Sequence, residues 1–346
     1  MKKRTRLFLV ITVGVLVLGL GTGLLASYAG IQNFSIIGGN GPDELSYIPS
    51  DARMVAFADV RSVVNSELRQ KLRQFEPTAD QKHQFETETG IDIENDIDTV
   101  LTAAWSTDNS FQGPPFVLAK GRFRPVVVEG LILEHGGSVE EYKGKRLLIA
   151  EAKPMAMAVS FVEPGLVAAG SAAAVRRAID IKQANSGAVT DNAEVMRLIK
   201  DADDGNTWAV ARLDALSLGP LPKEITQQLP PINWFSATGH VGSGIEAMLR
   251  AQAKDDKSAQ DLREVIRGFM ALARLQAGSQ AQFAEVVNSL ELGGEGTTVT
   301  LRLVVPSSVI DTVAAMTAQR RRQAPDVNTV PSQELLPAPA PAVPSL

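Results

Sequence analysis

Residues 54–60, MVAFADV, and residues 207–214, TWAVARLD, decide how the chain is read. Each is rich in β-branched, aromatic and small apolar residues, the composition of a strand. Each also contains an aspartate near its end, Asp59 and Asp214, where a following helix needs an N-cap. The pattern of the first half therefore begins again near residue 206, as in a duplicated chain. Working outward, the punctuation is that of hairpins. Lys143-Gly144 separates 139–142 from 145–151, Glu163-Pro164-Gly165 separates 157–162 from 166–169, and Gly242-Ser243-Gly244 separates 232–241 from 245–253. Further strands are expected at 99–106, 116–120 and 297–305. Hairpins imply antiparallel pairing. The predicted fold is α+β: two related halves, 51–205 and 206–322, each an antiparallel sheet with helices on one face.

The helices are marked by their caps. Asp59 and Ser62 start one that runs toward Phe75, and Thr78 with Gln81 starts a polar one ending at Gly90. Residues 125–135 hold three valines that favour strand. Pro125 at the start and Gly136-Gly137 at the end nevertheless predict a helix. Ser171 caps a helix whose Val175, Ala178 and Ile179 face inward. Short helices follow Asp191-Asn192 and cover 224–229. The longest starts at Ser258, with Asp261 as capping partner, and runs to Gly278 with Leu262, Val265, Ile266, Phe269, Leu272 and Ala273 on one face. Ser308 with Asp311 caps a last one, ending at Arg320, Arg321 and Arg322, where the helix dipole favours cations.

Ahead of this body lies an uninterrupted apolar run of 23 residues, 7–29. At about 1.5 Å per residue it spans a hydrocarbon core of about 30 Å. Lys2, Lys3, Arg4 and Arg6 precede it, while Asp43, Glu44 and Asp51 follow, so the body is expected outside the cytoplasmic membrane on a single-pass helix. Cleavage near Ala29, leaving a secreted chain, is the alternative. Gly19, Gly23 and Ser27 lie four apart on one side of that helix, a small-residue seam on which two spans can pack. Residues 30–50 form a linker rich in glycine and proline. Residues 323–346, with Pro337, Pro339, Pro341 and Pro344, lack the apolar content of a core and are expected to be disordered.

Charge and composition narrow the function. Without its four N-terminal cations, the net charge of −5 becomes −9, which argues against a nucleic-acid partner. The chain has no cysteine, hence no disulfide and no thiol nucleophile. His83, His135 and His240 are far apart, with no zinc spacing, and no P-loop or G-x-S-x-G is present. Asp92, Glu94, Asp96 and Asp98 invite a calcium reading, but the EF-hand positions for glycine and glutamate hold Ile97 and Ala103. A capped turn before a strand fits them better. Residues 242–247 match G-x-G-x-x-A, yet the alternation that follows demands a hairpin rather than a nucleotide-binding turn. Asp59 and Asp214 could be paired carboxylates of two half-domains, but both stand where an N-cap belongs.

MVAFADV at 54–60, GIDIENDID at 90–98, YKGKRLLI at 142–149, EPGLVAAGSAAAVRRAID at 163–180 and TWAVARLD at 207–214, behind the N-terminal anchor, together resemble a bacterial family of membrane-anchored extracytoplasmic proteins of unassigned function. The resemblance implies location and an α+β body, and supplies no catalytic residues. The expected function is a non-catalytic, membrane-tethered binding or assembly module of the cell envelope. It needs no cofactor and no metal, and its partner is a protein or a second copy. The alternative is an envelope hydrolase using dispersed carboxylates, which would need those groups to converge in a pocket.

Overall fold

The computed structural model describes residues 42–73, 86–87, 90–105, 115–150, 156–212, 230–277 and 281–312. The apolar run with Gly19, Gly23 and Ser27, His83, the helix expected at 224–229, Asp214 and everything from 313 onward lie outside them. Among the described residues no helix is long and apolar enough to cross a membrane.

The first half carries strands β1 (Met54–Asp59), β2 (Ile97–Ala104), β3 (Phe116–Gly121), β4 (Ser138–Tyr142), β5 (Lys145–Ala150), β6 (Met157–Glu163) and β7 (Leu166–Ser171). Its described helices are α1 (Val60–Val64), α2 (Glu67–Arg73), α3 (Ile93–Asp96), α4 (Pro125–Glu134), α5 (Ala172–Ala184) and α6 (Ala193–Ala202), with short 3-10 turns at Val189–Asp191 and at Asp43–Tyr47, the latter not linker, as expected of 30–50, but part of the body, because Leu45 and Ile48 are wholly buried in the core. The second half carries β8 (Thr207–Arg212), β9 (Ile232–Val241), β10 (Ile245–Ala253), β11 (Glu291–Gly293) and β12 (Thr298–Val305), with α7 (Asp256–Ala277) and α8 (Ala281–Asn288).

The expected separate sheets are in fact one. All twelve strands form a single antiparallel sheet in the order β11-β12-β10-β9-β8-β1-β2-β3-β7-β6-β5-β4. The halves join where β1 pairs with β8, centred on Ala56 opposite Ala209, with Phe57 opposite Trp208 and their rings 5.8 Å apart. On either side of that seam the order repeats: β1-β2-β3-β7-β6 in one direction and β8-β9-β10-β12-β11 in the other. This agreement is consistent with internal duplication. Only the first half adds an outer hairpin, β5-β4, whose turn residues Lys143 and Gly144 both have positive φ, as a type I′ turn requires.

Helices cover both faces, not one. The upper face presents Val55, Phe57, Leu101, Phe116, Leu118, Leu147 and Trp208 to α5, α6 and the 43–47 turn, forming the main core. The lower face presents Ile97, Val100, Val117 and Ala119 to residues around α1 and α3, while α7 seats Ala259, Leu262 and Ile266 on Ala251, Ala253 and Val299. The reason is legible in the runs VAFA, VLTA and FVLA of β1 to β3, which apart from Thr102 are apolar at consecutive positions and so must be covered twice. Past β9 the upper face turns polar, with Glu246, Arg250, Thr300 and Arg302.

Local chemistry sets the element ends. The single helix expected from 62 to 75 is broken at Asn65, because Ser66 accepts from the Arg69 amide and starts α2 anew. Pro125 opens α4 as expected. Ser171 accepts from the Ala174 amide and Asn192 from the Val195 amide, capping α5 and α6. The cap of α7 is Asp255, which accepts from the Ser258 amide at 2.7 Å, and not the Ser258–Asp261 box. The stripe expected along α7 is only partly buried: Leu262 is enclosed, whereas Phe269 and Leu272 are exposed.

Candidate functional site

Among the described residues, titratable groups meet beside a cleft where the 43–47 turn, the end of β6 and the last turn of α5 come together. A cleft of about 230 Å³ is lined by Tyr47, Lys145, Val162, Glu163, Ile179, Lys182 and Gln183. Tyr47 is held there because Leu45, its neighbour in the turn, is wholly buried in the main core and fixes the backbone. The Tyr47 hydroxyl donates to Glu163 Oε1 at 2.7 Å. Lys182 Nζ lies 3.5 Å from the same oxygen, donates to Ser46 Oγ at 2.9 Å and sits 4.9 Å from the centre of the Tyr47 ring. Next to them Lys120 Nζ pairs with the buried Glu44 at 2.9 Å.

The electrostatics push these groups away from acid–base work. Burial, reinforced by the hydrogen bond to Glu163, drives the Tyr47 hydroxyl far above the usual phenol range. The Tyr47 hydrogen bond, with Lys182 nearby, holds Glu163 below the usual carboxylate range. Lys120 is held above its ordinary value by the hydrogen bond and charge of Glu44. At neutral pH the phenol keeps its proton and the carboxylate lacks one, whereas a general acid or base works best with a pKa near the operating pH. The arrangement is a closed tie that fastens the turn and α5 to the sheet.

Three more ties continue along α5. Arg176 makes a two-pronged contact with Glu140, Arg177 reaches Asp51 at 2.8 Å, and Asp180 accepts from the Tyr142 hydroxyl at 3.0 Å while pairing with Lys143. Neither these contacts nor the Tyr47 cluster stand out in the sequence, because each partner lies more than 30 residues from the other. The EPGLVAAGS turn and the helix after it are visible there, but not what they touch.

The residues that sequence reasoning singled out have separate fates. Asp59 is the cap of α1, accepting from the Ser62 amide at 2.8 Å, and burial raises its pKa. Its imagined partner Asp214 lies outside the described residues. Asp92 caps α3, accepting from the amides of Glu94 and Asn95, and Asp96 accepts from the Asp92 amide. Asp98 pairs with Arg61 and, at 3.7 Å, Arg122. The acidic stretch is thus a capped turn before β2. Among the described residues no group of three or more His, Asp or Glu is placed to hold a metal ion. Residues 242–247 form the β9–β10 hairpin, with the Gly242 amide donating to the Gly244 carbonyl at 2.9 Å, which excludes the strand-to-helix turn of a dinucleotide site. His135 stands at the C-terminal end of α4, its Nδ1 2.7 Å from the Leu131 carbonyl, and His240 faces solvent opposite Glu246.

No family model matches the chain, and no curated protein matches it. Among solved structures it is similar to the one titled crystal form III of TP0453, at 11% identity and a TM-score of 0.45, over 80% of this chain and 100% of that one.

Proposed function

We propose that the chain is a non-catalytic, membrane-tethered module of the bacterial cell envelope, with an N-terminal helix holding a folded acidic body outside the cytoplasmic membrane. The observation that carries this reading is the closure of the ionic groups around the cleft: Tyr47, Glu163 and Lys182 satisfy one another, with pKa values pushed away from neutrality. A hydrolase needs an activated nucleophile or a carboxylate able to give and take a proton. Asp59 is committed to the α1 cap, and Ser160, wholly buried on β6, has the apolar residues Leu147 and Ala168 as its cross-strand neighbours. Tethering requires only the apolar run, a linker and a folded body, all of which are in the sequence.

The test is complementation of a deletion strain. Tyr47→Phe with Glu163→Gln, and separately Asp59→Asn, should restore growth and envelope integrity as fully as the parent chain at equal membrane levels. Loss of complementation with folding and level intact would put the hydrolase reading ahead. Protease added outside cells with the outer barrier opened should digest the body, and protection until the cytoplasmic membrane is lysed would refute the topology.

A further inference from the structure

Among the described residues the large apolar side chains that stand most exposed are confined to two helices, Val126, Val127 and Leu133 on α4 and Phe269, Leu272 and Leu275 on α7. These helices hold equivalent places in the two halves, each following the third strand of its repeat. Both lie on the lower face. Helix α4 is pinned there by the Glu129–Arg146 pair, and α7 by Leu262 and Ile266 on Ala251 and Val299. Scattered exposed apolar residues are ordinary, but three on each of two equivalent helices make two matched patches, one under each arm of the sheet. Exposure is greatest at Val126, 83%, and at Leu275, 81%.

Each outward surface also contains a glycine. Val126, Gly130 and Leu133 follow one another at i, i+4 and i+7, as do Gly268, Leu272 and, at i+7, Leu275. Nothing lies within 4 Å of where a Cβ would stand on Gly130 or Gly268. Glycine is the poorest of the ordinary helix formers after proline, so neither is explained by the fold of one copy. On α4 the glycine between Val126 and Leu133 makes a hollow that the ridge of another helix can enter, and on α7 Gly268 leaves one beside Leu272. Contact with lipid tails has no use for such a hollow. The charges complete the pattern. Helix α4 has Glu129 and Glu134 and no cation, whereas 267–277 of α7 has Arg267 and Arg274 and no acid. Glu134, Arg267 and Arg274 form no ion pair within the described residues.

We propose that this face binds a second copy of the chain, α4 of each protomer packing on α7 of the other, with Glu134 meeting Arg267 and Arg274 across the contact. Because α4 and α7 are equivalent elements on one face, a two-fold axis lets both contacts form at once and closes the assembly at a dimer. The inference names the partner of the tethered module proposed above. It does not depend on whether the module is catalytic or where it resides, so the two can fail separately.

The absence of cysteine makes the test direct. Full-length chain carrying Val126→Cys is mixed in detergent with full-length chain carrying Leu272→Cys and oxidised. The mixed disulfide should exceed both self-linked products. In the cysteine-free chain, Leu272→Glu with Leu275→Glu should weaken dimerisation by about tenfold or more, read by sedimentation, with an unchanged thermal midpoint for the monomer. Glu134→Arg should weaken it too, and Arg267→Glu with Arg274→Glu should restore it. Gly130→Ala with Gly268→Ala should loosen the dimer while raising monomer stability. A chain that stays monomeric overturns the proposal, as does a dimer untouched by the glutamates, which would locate the contact elsewhere. Quenching of a label at position 272 by spin-labelled lipid in a monomeric chain would overturn it in favour of a membrane contact.

Discussion

The two halves share a strand order but not a burial pattern. In the first half β1, β2 and β3 are apolar on both sides and are covered above by α5 and α6 and below near α1 and α3. In the second half β10 and β12 bury Ala251, Ala253 and Val299 beneath and show Glu246, Arg250 and Arg302 above. The same topology thus serves as a two-sided centre and as a one-sided flank. Coverage is decided by the residue alternation of each strand and not by its place in the repeat. The ionic ties follow the same division, since those of α5 fasten the upper cover of the first half.

That contrast can be broken by deletion of side chains. Trp208, buried at the β1–β8 seam and stacked on Phe57, should cost about 3–5 kcal/mol when changed to alanine. Leu249, half-buried on the lower side of β10, should cost only about 1 kcal/mol, and denaturant unfolding measures both. Equal costs would erase the distinction between centre and flank.

The upper cover makes a smaller, pH-dependent prediction. Tyr47→Phe removes the hydroxyl that holds Glu163 ionised and should cost about 1 kcal/mol at neutral pH, reduced from a fully buried value because Glu163 is half exposed. Glu163 has a folded pKa below its unfolded one, so its contribution is present above about pH 4.3 and is lost as pH falls through the folded value. The gap between parent and Tyr47→Phe should therefore narrow on acidification. Asp59, whose pKa is raised by burial, has the opposite sign: its contribution is present at low pH and lost as pH rises through the folded value. Asp59→Asn should leave the cap and remove that slope, which stability measured across pH 3 to 6 would show. Smallest of all, Arg302→Ala on the polar upper face of β12 breaks an exposed pair with Glu246 and should change stability by less than about 0.5 kcal/mol.

Much of this was legible in the residues themselves. The alternation Ile245, Ala247, Leu249, Ala251 identifies β10 as a one-sided strand, and Lys143-Gly144 places the β4–β5 hairpin to the residue. Pro125 and Gly136-Gly137 settle α4 against its own valines. What the residues conceal is every contact made at long range. Nothing local in MVAFA or TWAVA says that these strands face each other, so two sheets are inferred where one exists. Ser66 restarts a helix that periodicity reads as unbroken. The apolar stripe of α7 is real, but Leu262 on it is enclosed while Phe269 and Leu272 are exposed, and the stripe alone does not reveal where burial stops. The Tyr47 tie is assembled across 116 residues of sequence from a turn, a strand end and a helix end.

The central claim is that both halves belong to one cooperative sheet through β1 and β8, and hydrogen exchange of their backbone amides tests it most directly. The account predicts that β1 and β8 exchange only through global unfolding, with the same free energy as β2 and β9 on either side. Early exchange at β1 and β8, while β3 and β10 stay protected, would mean that the halves are separate units and would contradict it.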